Sequence, residues 1–214
     1  YGGDEINACS AWTSTNRDLT EEKRARIPKL LKMLAENGHE TPFEKSIVHF
    51  LVDTDIASHI HILKHRISSL NAESARYKEL KEDKYYLPED WIGIKSSFVS
   101  QKFGTIINSS GYSWDVILAE YTELGNELYH KCLEQIEPVL GRKRAKESAR
   151  FFKTYNSQIQ ADVMFNWRSF VNFQKLRNST TAQKEIENIA QEMLRLVKEI
   201  PGEPFKYTIE AFNL

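Results

Sequence analysis

The sequence predicts an α+β fold that is mainly helical and carries a small antiparallel sheet. Apolar residues recur at helical spacing in three long stretches, 18–36, 114–137 and 186–197. Residues 46–53 instead alternate, with Val48, Phe50 and Val52 on one face, as in a half-buried strand. A chain of 214 residues is long enough for one sizeable core, so we expect a single domain over residues 1–214.

The first elements follow from turn and capping signals. Residues 1–17 are rich in Gly, Ser, Thr and Asn, which predicts a loop with a short extended piece. Asp18 followed by Glu21 is a capping-box pattern that begins a helix, and Asn37-Gly38 ends it. Pro28 inside this helix predicts a kink or a restart.

The later elements are mostly helical. Thr54 or Asp55 can cap a helix over residues 55–66, and residues 78–95 are typical of an exposed loop. A helix from Trp114 to Glu137 is closed by Pro138. Its apolar stripe comprises Ile117, Tyr121, Leu124, Leu128 and Cys132. Residues 142–180 predict further helix, and the last helix ends at Pro201-Gly202.

Composition excludes several classes of protein. Hydrophobic residues make up 41% and charged residues 28%, as in ordinary globular proteins. A net charge of −1 gives no basic field for nucleic acid. Two cysteines form no disulfide framework, no apolar run reaches membrane-spanning length, and no signal peptide opens the chain. We therefore expect a cytoplasmic protein that binds neither nucleic acid nor a membrane.

One basic stretch, residues 64–77, is the strongest candidate for a ligand site. It combines Lys64, Arg66 and Arg76 with a histidine, hydroxyls and amides. Guanidinium groups bind phosphate bidentately, and Ser or Asn can complete the hydrogen bonds of an anion. The simpler alternative is a solvated helix end, where cations are favoured by the helix dipole.

Three separated motifs resemble the flavin-dependent thymidylate synthases. Lys64-His65-Arg66, seven further residues and Ser74 are similar to the family's Arg-His-Arg motif. Residues 38–44 resemble its Gly-His-Glu-Thr-Pro-Phe-Glu segment, and residues 166–177 resemble its Asn-x-Arg-Ser segment with the later Asn and Arg. Family members have a strand before this point and the chain begins at Tyr1, so we expect that strand to be absent from this numbering.

The resemblance implies that FAD transfers a methyl group from methylenetetrahydrofolate to dUMP, giving dTMP, with NADPH as reductant. It also implies a homotetramer with active sites at subunit interfaces. The residues it assigns to FAD are Ser14, His39, Thr41, Glu44, Lys64, His65, Arg66, Asn166, Arg168 and Asn172. Those it assigns to the nucleotide are His61, Glu73, Ser74, Ala75, Arg76, Arg150 and Arg177.

The candidate catalytic residues are Arg177, Ser74 and His39. A serine nucleophile needs a base within hydrogen-bond reach, and His65 is the nearest histidine of the same motif. The resemblance instead implies that the reduced flavin supplies hydride, which favours a binding role for Ser74. For His39 the alternative is a capping or core histidine.

Departures from the family pattern concentrate on the nucleotide side. Lys64 replaces the first arginine and loses its bidentate fork. His61 replaces a glutamine, and Ala72 stands where the family has a glutamate, with Glu73 one place later. The space left by Ala72 motivates an alternative enzyme that methylates or hydroxymethylates UMP or another pyrimidine nucleotide.

Other classes of function remain open from the residues. One is a non-catalytic protein that binds flavin or nucleotide, and another is a helical interaction module without a ligand. His61 and His65 have a spacing that can bind zinc, but no third ligand is evident, so we expect no metal. Arg142-Lys143-Arg144 with Lys146 is more typical of a solvated helix face than of a nucleic-acid site.

Overall fold

The structure is a computed structural model that describes the backbone of residues 1–102 and 105–214, and the side chains of residues 1–99 and 109–214. The described helices are α1 (Asp4–Trp12), α2 (Glu21–Glu36), α3 (Ile56–Leu63), α4 (Trp114–Leu140), α5 (Arg142–Ala149), α6 (Trp167–Arg177), α7 (Lys184–Lys198) and α8 (Lys206–Phe212). The described strands are β1 (Ile47–Asp55), β2 (Ser69–Ala72), β3 (Val99–Lys102), β4 (Thr105–Asn108) and β5 (Gln158–Asn166).

Helices dominate, and the strands form two small sheets. Three strands make an antiparallel sheet in the order β1-β5-β2. Strands β3 and β4 pair separately and antiparallel, with Val99 opposite Asn108 and Lys102 opposite Thr105. The predicted class, a mainly helical α+β fold with a small antiparallel sheet, is confirmed.

Backbone packing divides the chain into two compact units. The first comprises residues 1–52, 61–71 and 162–214, and the second comprises residues 53–60 and 72–161. A single domain over the whole chain stays a prediction.

The core of the first unit is aromatic. Phe165, Trp167, Phe170 and Phe173 are fully buried, and the Trp167 and Phe170 rings meet edge to face with centroids 5.3 Å apart. The predicted alternation in β1 is confirmed, because Val48, Phe50 and Val52 are buried. Large rings are buried on one side of α6. They therefore fix the rotation of the helix and determine which side chains lie on its other side.

The prediction of a loop over residues 1–17 was wrong, because α1 forms within it. The buried carboxylate of Asp4 accepts hydrogen bonds from Tyr207 N (2.8 Å), Thr208 N (2.8 Å) and Thr208 Oγ1 (2.6 Å). Contacts with α8, distant in sequence, therefore stabilise a helix that the local composition does not favour.

The prediction of continuous helix over residues 142–180 was also wrong, because β5 interrupts it. Ala161, Val163 and Phe165 are buried and alternate with the less buried Asp162 and Met164, which is the period of a strand. Strand β5 lies between β1 and β2, so its partners come from distant parts of the sequence. Its formation depends on those partners rather than on local propensity.

Smaller differences concern helix ends. Helix α2 begins after Thr20, whose hydroxyl accepts from Lys23 N, and runs through Pro28 without a restart. Asp55 caps α3 by accepting from Ser58 N (2.9 Å), but α3 ends at Leu63 rather than at residue 66. Helix α4 continues past Pro138 to Leu140, where the proline removes only one hydrogen bond of the last turn.

The second unit has its own small core. It contains Tyr129 and Leu133 of α4 packed with Ala145 and Ala149 of α5. Most of the predicted α4 stripe lies outside this core, since Tyr121, Leu124 and Leu128 are 62%, 53% and 42% exposed. The long helix therefore buries one face and leaves an apolar stripe uncovered.

Candidate functional site

A cavity of about 610 Å³ lies in the first unit. Two segments distant in sequence line it, residues 64–67 and residues 166–177, together with Glu40 and Glu44. The predicted flavin and nucleotide residues that it brings together are Glu44, Lys64, His65, Arg66, Asn166, Arg168, Asn172 and Arg177. Two of the three motifs thus meet in one cavity, and the third contributes acids to its wall.

Helix α6 presents its polar face to this cavity. Asn166 caps the helix, its Oδ1 accepting from Ser169 N at 2.8 Å. Phe170 and Phe173 are buried, which leaves Arg168, Asn172 and Leu176 on the opposite side at four-residue spacing. The capping asparagine fixes where the helix begins, and the buried rings fix its rotation.

Arg168 is held by two carboxylates. Its Nε donates to Glu40 Oε2 at 3.0 Å, and its Nη1 donates to Glu44 Oε1 at 2.7 Å. The hydrogen bond that Arg168 donates to Glu44 and the charges of both acids raise the pKa of the Arg168 guanidinium. Both acids come from the Gly-His-Glu-Thr-Pro-Phe-Glu segment, so this segment orients an arginine of another motif.

Arg177 is held by His65. Its Nε donates to His65 Nε2 at 3.0 Å. Arginine has only donors, so Nε2 must be the acceptor and the proton of a neutral imidazole lies on Nδ1. Burial lowers the pKa of His65, and the charges of Arg177 and His61 lower this pKa further. His65 is therefore neutral at physiological pH.

Lys64 and Arg66 differ from these two arginines. Both side chains are exposed at the cavity, and within the described part of the chain neither pairs with a carboxylate. Ile67 and Leu176 add apolar surface beside them. The cavity thus offers two uncompensated cations, amides and an apolar wall, a combination suited to an anionic, partly aromatic ligand.

Four predicted residues of the first unit do not line the cavity. Ser14 donates to Ala11 O at 3.3 Å, and His39 is exposed just after α2. Thr41 begins the 3₁₀ turn Thr41–Lys45, and His61 lies on α3 with a buried Nδ1 that has no described partner. Their roles stay predictions.

Glu40 is a charged cavity residue that the sequence did not single out; Ile67, Ser169 and Leu176 are the other lining residues without a predicted role. Glu40 belongs to the same motif as Glu44, and the four-residue interval between the two acids was the available signal. Nothing in the sequence indicates that both acids meet Arg168.

The remaining predicted nucleotide residues lie in the second unit. Ser74 O accepts from Tyr77 N and Lys78 N, both at 2.9 Å, which closes one turn. Ser74 Oγ accepts from Arg76 N at 3.3 Å, and Arg76 Nε donates to Glu147 Oε1 at 2.6 Å. No described histidine of this unit bonds the Ser74 hydroxyl.

Glu73 is engaged within the protein. Its carboxylate accepts from Lys78 Nζ at 2.5 Å and from Gln160 N at 3.1 Å. The hydrogen bond from Lys78 lowers the pKa of Glu73. Ala75 is half-buried, and Arg150 is exposed without a described counterion.

The described residues contain neither a candidate metal-ion cluster nor a helix that could span a membrane. No group of three or more His, Cys, Asp or Glu residues among them is arranged to hold a metal ion. None of the described helices combines the length and apolar character needed to span a membrane.

Comparisons with known proteins identify the family of the chain. A family model described as thymidylate synthase complementing protein matches residues 2–201. The flavin-dependent thymidylate synthase of Pseudothermotoga lettingae is 31% identical over 98% of this chain and 86% of its own length. That of Thermosipho melanesiensis is 34% identical over 86% of this chain and 75% of its own length.

The fold is shared with a solved structure, a UMP/dUMP methylase, PolB, from Streptomyces cacaoi bound with 5-Br dUMP. That structure covers 99% of this chain and 91% of its own, with a TM-score of 0.77 and 24% identity. The family match over most of the chain, together with relatives above 30% identity, shows that the chain belongs to the flavin-dependent thymidylate synthase family.

Proposed function

We propose that the protein is an FAD-dependent enzyme that methylates a pyrimidine nucleotide, converting dUMP to dTMP. Methylenetetrahydrofolate would donate the carbon and NADPH would be the reductant. The observation that carries this proposal is the meeting of residues 64–67 and residues 166–177 around one cavity. The relatives named flavin-dependent thymidylate synthase support it.

The residues of the cavity fit a flavin. When bound, FAD supplies the hydride and carbon-transfer chemistry, while the protein supplies binding and orientation. Lys64 and Arg66 have no carboxylate partner among the described residues, so they would bind the pyrophosphate. Asn172 offers an amide to polar ring atoms, and Ile67 and Leu176 offer apolar contacts to the ring.

The nucleotide would be bound by arginines. The Nε–H of Arg177 donates to His65, which leaves the two amino nitrogens of Arg177 to point at a ligand. For Arg76 and Arg150 of the second unit, the nucleotide role is the one that the family resemblance implies: Arg150 has no described counterion, and Arg76 pairs with Glu147. Guanidinium groups near the pyrimidine would also stabilise negative charge that develops on its carbonyl oxygens.

The second candidate is the same reaction on UMP. Ala72 lacks the carboxylate that the family has at this position. The neighbouring Glu73 does not replace it, because the Glu73 carboxylate already accepts hydrogen bonds from Lys78 Nζ and Gln160 N. A small side chain without a compensating carboxylate leaves room for a 2′-hydroxyl. Product formation with dUMP and UMP, measured side by side, tests this; equal or exclusive use of UMP would remove the thymidylate assignment.

The assembly would be a homotetramer with active sites at subunit interfaces, in the cytoplasm. The exposed stripe of Tyr121, Leu124 and Leu128 on α4 supports self-association, because monomeric proteins rarely leave such a row uncovered. The spacing of these residues, three and four positions apart, suits the same stripe of a second copy.

Product analysis also separates the remaining classes of function. A protein that retains flavin but never transfers carbon to dUMP or UMP would be a non-catalytic flavin-binding relative. A protein that takes up no FAD would instead be a helical interaction module. Formation of dTMP that depends on FAD, NADPH and methylenetetrahydrofolate is the result that we expect.

A further inference from the structure

Two arginines of the cavity are held by protein acceptors of different kinds. Arg168 is held by the carboxylates of Glu40 and Glu44, at 3.0 and 2.7 Å. Arg177 has one described acceptor, the ring nitrogen Nε2 of His65 at 3.0 Å. A carboxylate accepts over the whole physiological pH range, whereas an imidazole accepts only while it is unprotonated.

The imidazole of His65 is itself fixed on several sides. Its ring lies edge to face on Phe173, with centroids 4.9 Å apart, and its backbone N–H donates to Ile62 O at 3.0 Å. Its carbonyl accepts from Ser68 Oγ at 2.6 Å. The position of Nε2 is therefore set by packing, and the direction of the Arg177 guanidinium follows from it.

We propose that His65 is a positioning residue for Arg177: its neutral Nε2 holds the Arg177 Nε–H and aims the two amino nitrogens at the nucleotide. This inference rests on the proposed function and extends it, since the family resemblance assigns His65 to the flavin alone. One histidine then serves both ligands. A second proton on the ring removes the acceptor and places two cations side by side.

The charges around the imidazole determine how it responds to pH. Arg177 faces it from α6, and His61 faces it from α3. The other charged groups that line the same cavity are Lys64, Arg66, Arg168, Glu40 and Glu44. The neighbouring cations oppose protonation, which keeps the acceptor available at physiological pH.

The first test reports on the ring and needs no activity. Nitrogen NMR of ¹⁵N-histidine protein, with His65→Gln to assign the signal, should show a neutral ring whose Nε2 carries no proton. Arg177→Gln should move the titration midpoint of His65 upward, because a neighbouring cation is removed. A proton on Nε2 at neutral pH, or a midpoint that does not move, overturns the proposal even if the enzyme is inactive.

The second test uses the flavin-loaded enzyme and the nucleotide KM as a function of pH. In the wild type, the nucleotide KM should rise at low pH as His65 takes up a second proton. Gln accepts a hydrogen bond at every pH, so the contribution of His65 to this rise should be absent from His65→Gln. The phosphate of dUMP titrates near pH 6 in both proteins and cancels in the comparison. His65→Arg, which always carries a charge, should raise the nucleotide KM about tenfold at every pH.

His49→Gln is the matched control, because His49 lies outside the cavity and pairs with Asp162. It should keep the wild-type pH profile. An unchanged KM in His65→Arg, or an unchanged acid rise in His65→Gln, contradicts the positioning role. Failure of FAD uptake or of product formation in the wild type would instead count against the proposed function, and the NMR result would still decide on the hydrogen bond.

Discussion

Lys64 and Arg66 are the cations of the cavity that have no acceptor side chain, neither a carboxylate nor an imidazole, among the described residues. Arg168 and Arg177 are each held by the protein, so the first pair is available to an anionic ligand and the second pair is oriented. The sequence predicted which residues belong together here. It could not predict which arginine would be neutralised, because Glu40 and Arg168 are distant in the chain.

Arg66→Gln tests this division of roles. A hydrogen bond to a charged group contributes about 1.5–3 kcal/mol, so the Kd for FAD should rise about tenfold to a hundredfold. Flavin fluorescence quenching measures it. Lys32→Gln is the control, since Lys32 is exposed and pairs with Glu36 at 3.8 Å away from the cavity. Equal affinity in Arg66→Gln and Lys32→Gln would argue against Arg66 as a flavin ligand.

His59 gives a prediction about stability and pH. It is buried, its Nδ1 has no described partner, and burial lowers its pKa from the ordinary 6.5. Its neutral form is therefore favoured by folding: this contribution is present above pH 6.5 and is lost as pH falls through the lowered pKa. The free energy of unfolding in urea should fall between about pH 7 and about pH 5. His59→Leu should reduce that fall, whereas His49→Gln should not.

At the scale of the elements, prediction succeeded where a helix carries its own signals. Helices α2, α4 and α7 were predicted from apolar spacing and end signals within their own sequences. It failed for α1, which depends on the hydrogen bonds between Asp4 and α8, and for β5, which depends on strands β1 and β2. Local patterns do not contain partners that lie a hundred residues away.

Gly125 shows how closely α4 is packed within the second unit. A Cβ added there would lie 2.6 Å from Phe152 O, which is backbone and cannot move away freely. Gly125→Ala should therefore destabilise the protein by about 1–3 kcal/mol in urea unfolding, although alanine favours helix. Glu127→Ala, exposed on the same helix, should change stability by less than about 0.5 kcal/mol. A stabilised Gly125→Ala would show that the contact is loose.

At the scale of the whole molecule, the uncovered stripe on α4 and the proposed tetramer lead to one prediction. Light scattering should give the mass of four chains for the wild type. Leu124→Glu with Leu128→Glu should lower that mass, because buried unpaired carboxylates disfavour association. Glu127→Ala serves as the control and should remain tetrameric. A monomeric wild type, or a double variant of unchanged mass, would exclude this stripe as an interface.

The account as a whole depends on a flavin bound in the cavity formed by residues 64–67 and 166–177. The most direct measurement is an absorbance titration of the purified protein with FAD. We expect saturable binding with a perturbed flavin spectrum, which Lys64→Gln combined with Arg66→Gln abolishes. A protein that leaves the FAD spectrum unchanged, or a double variant that binds FAD as tightly as the wild type, would contradict the central claim.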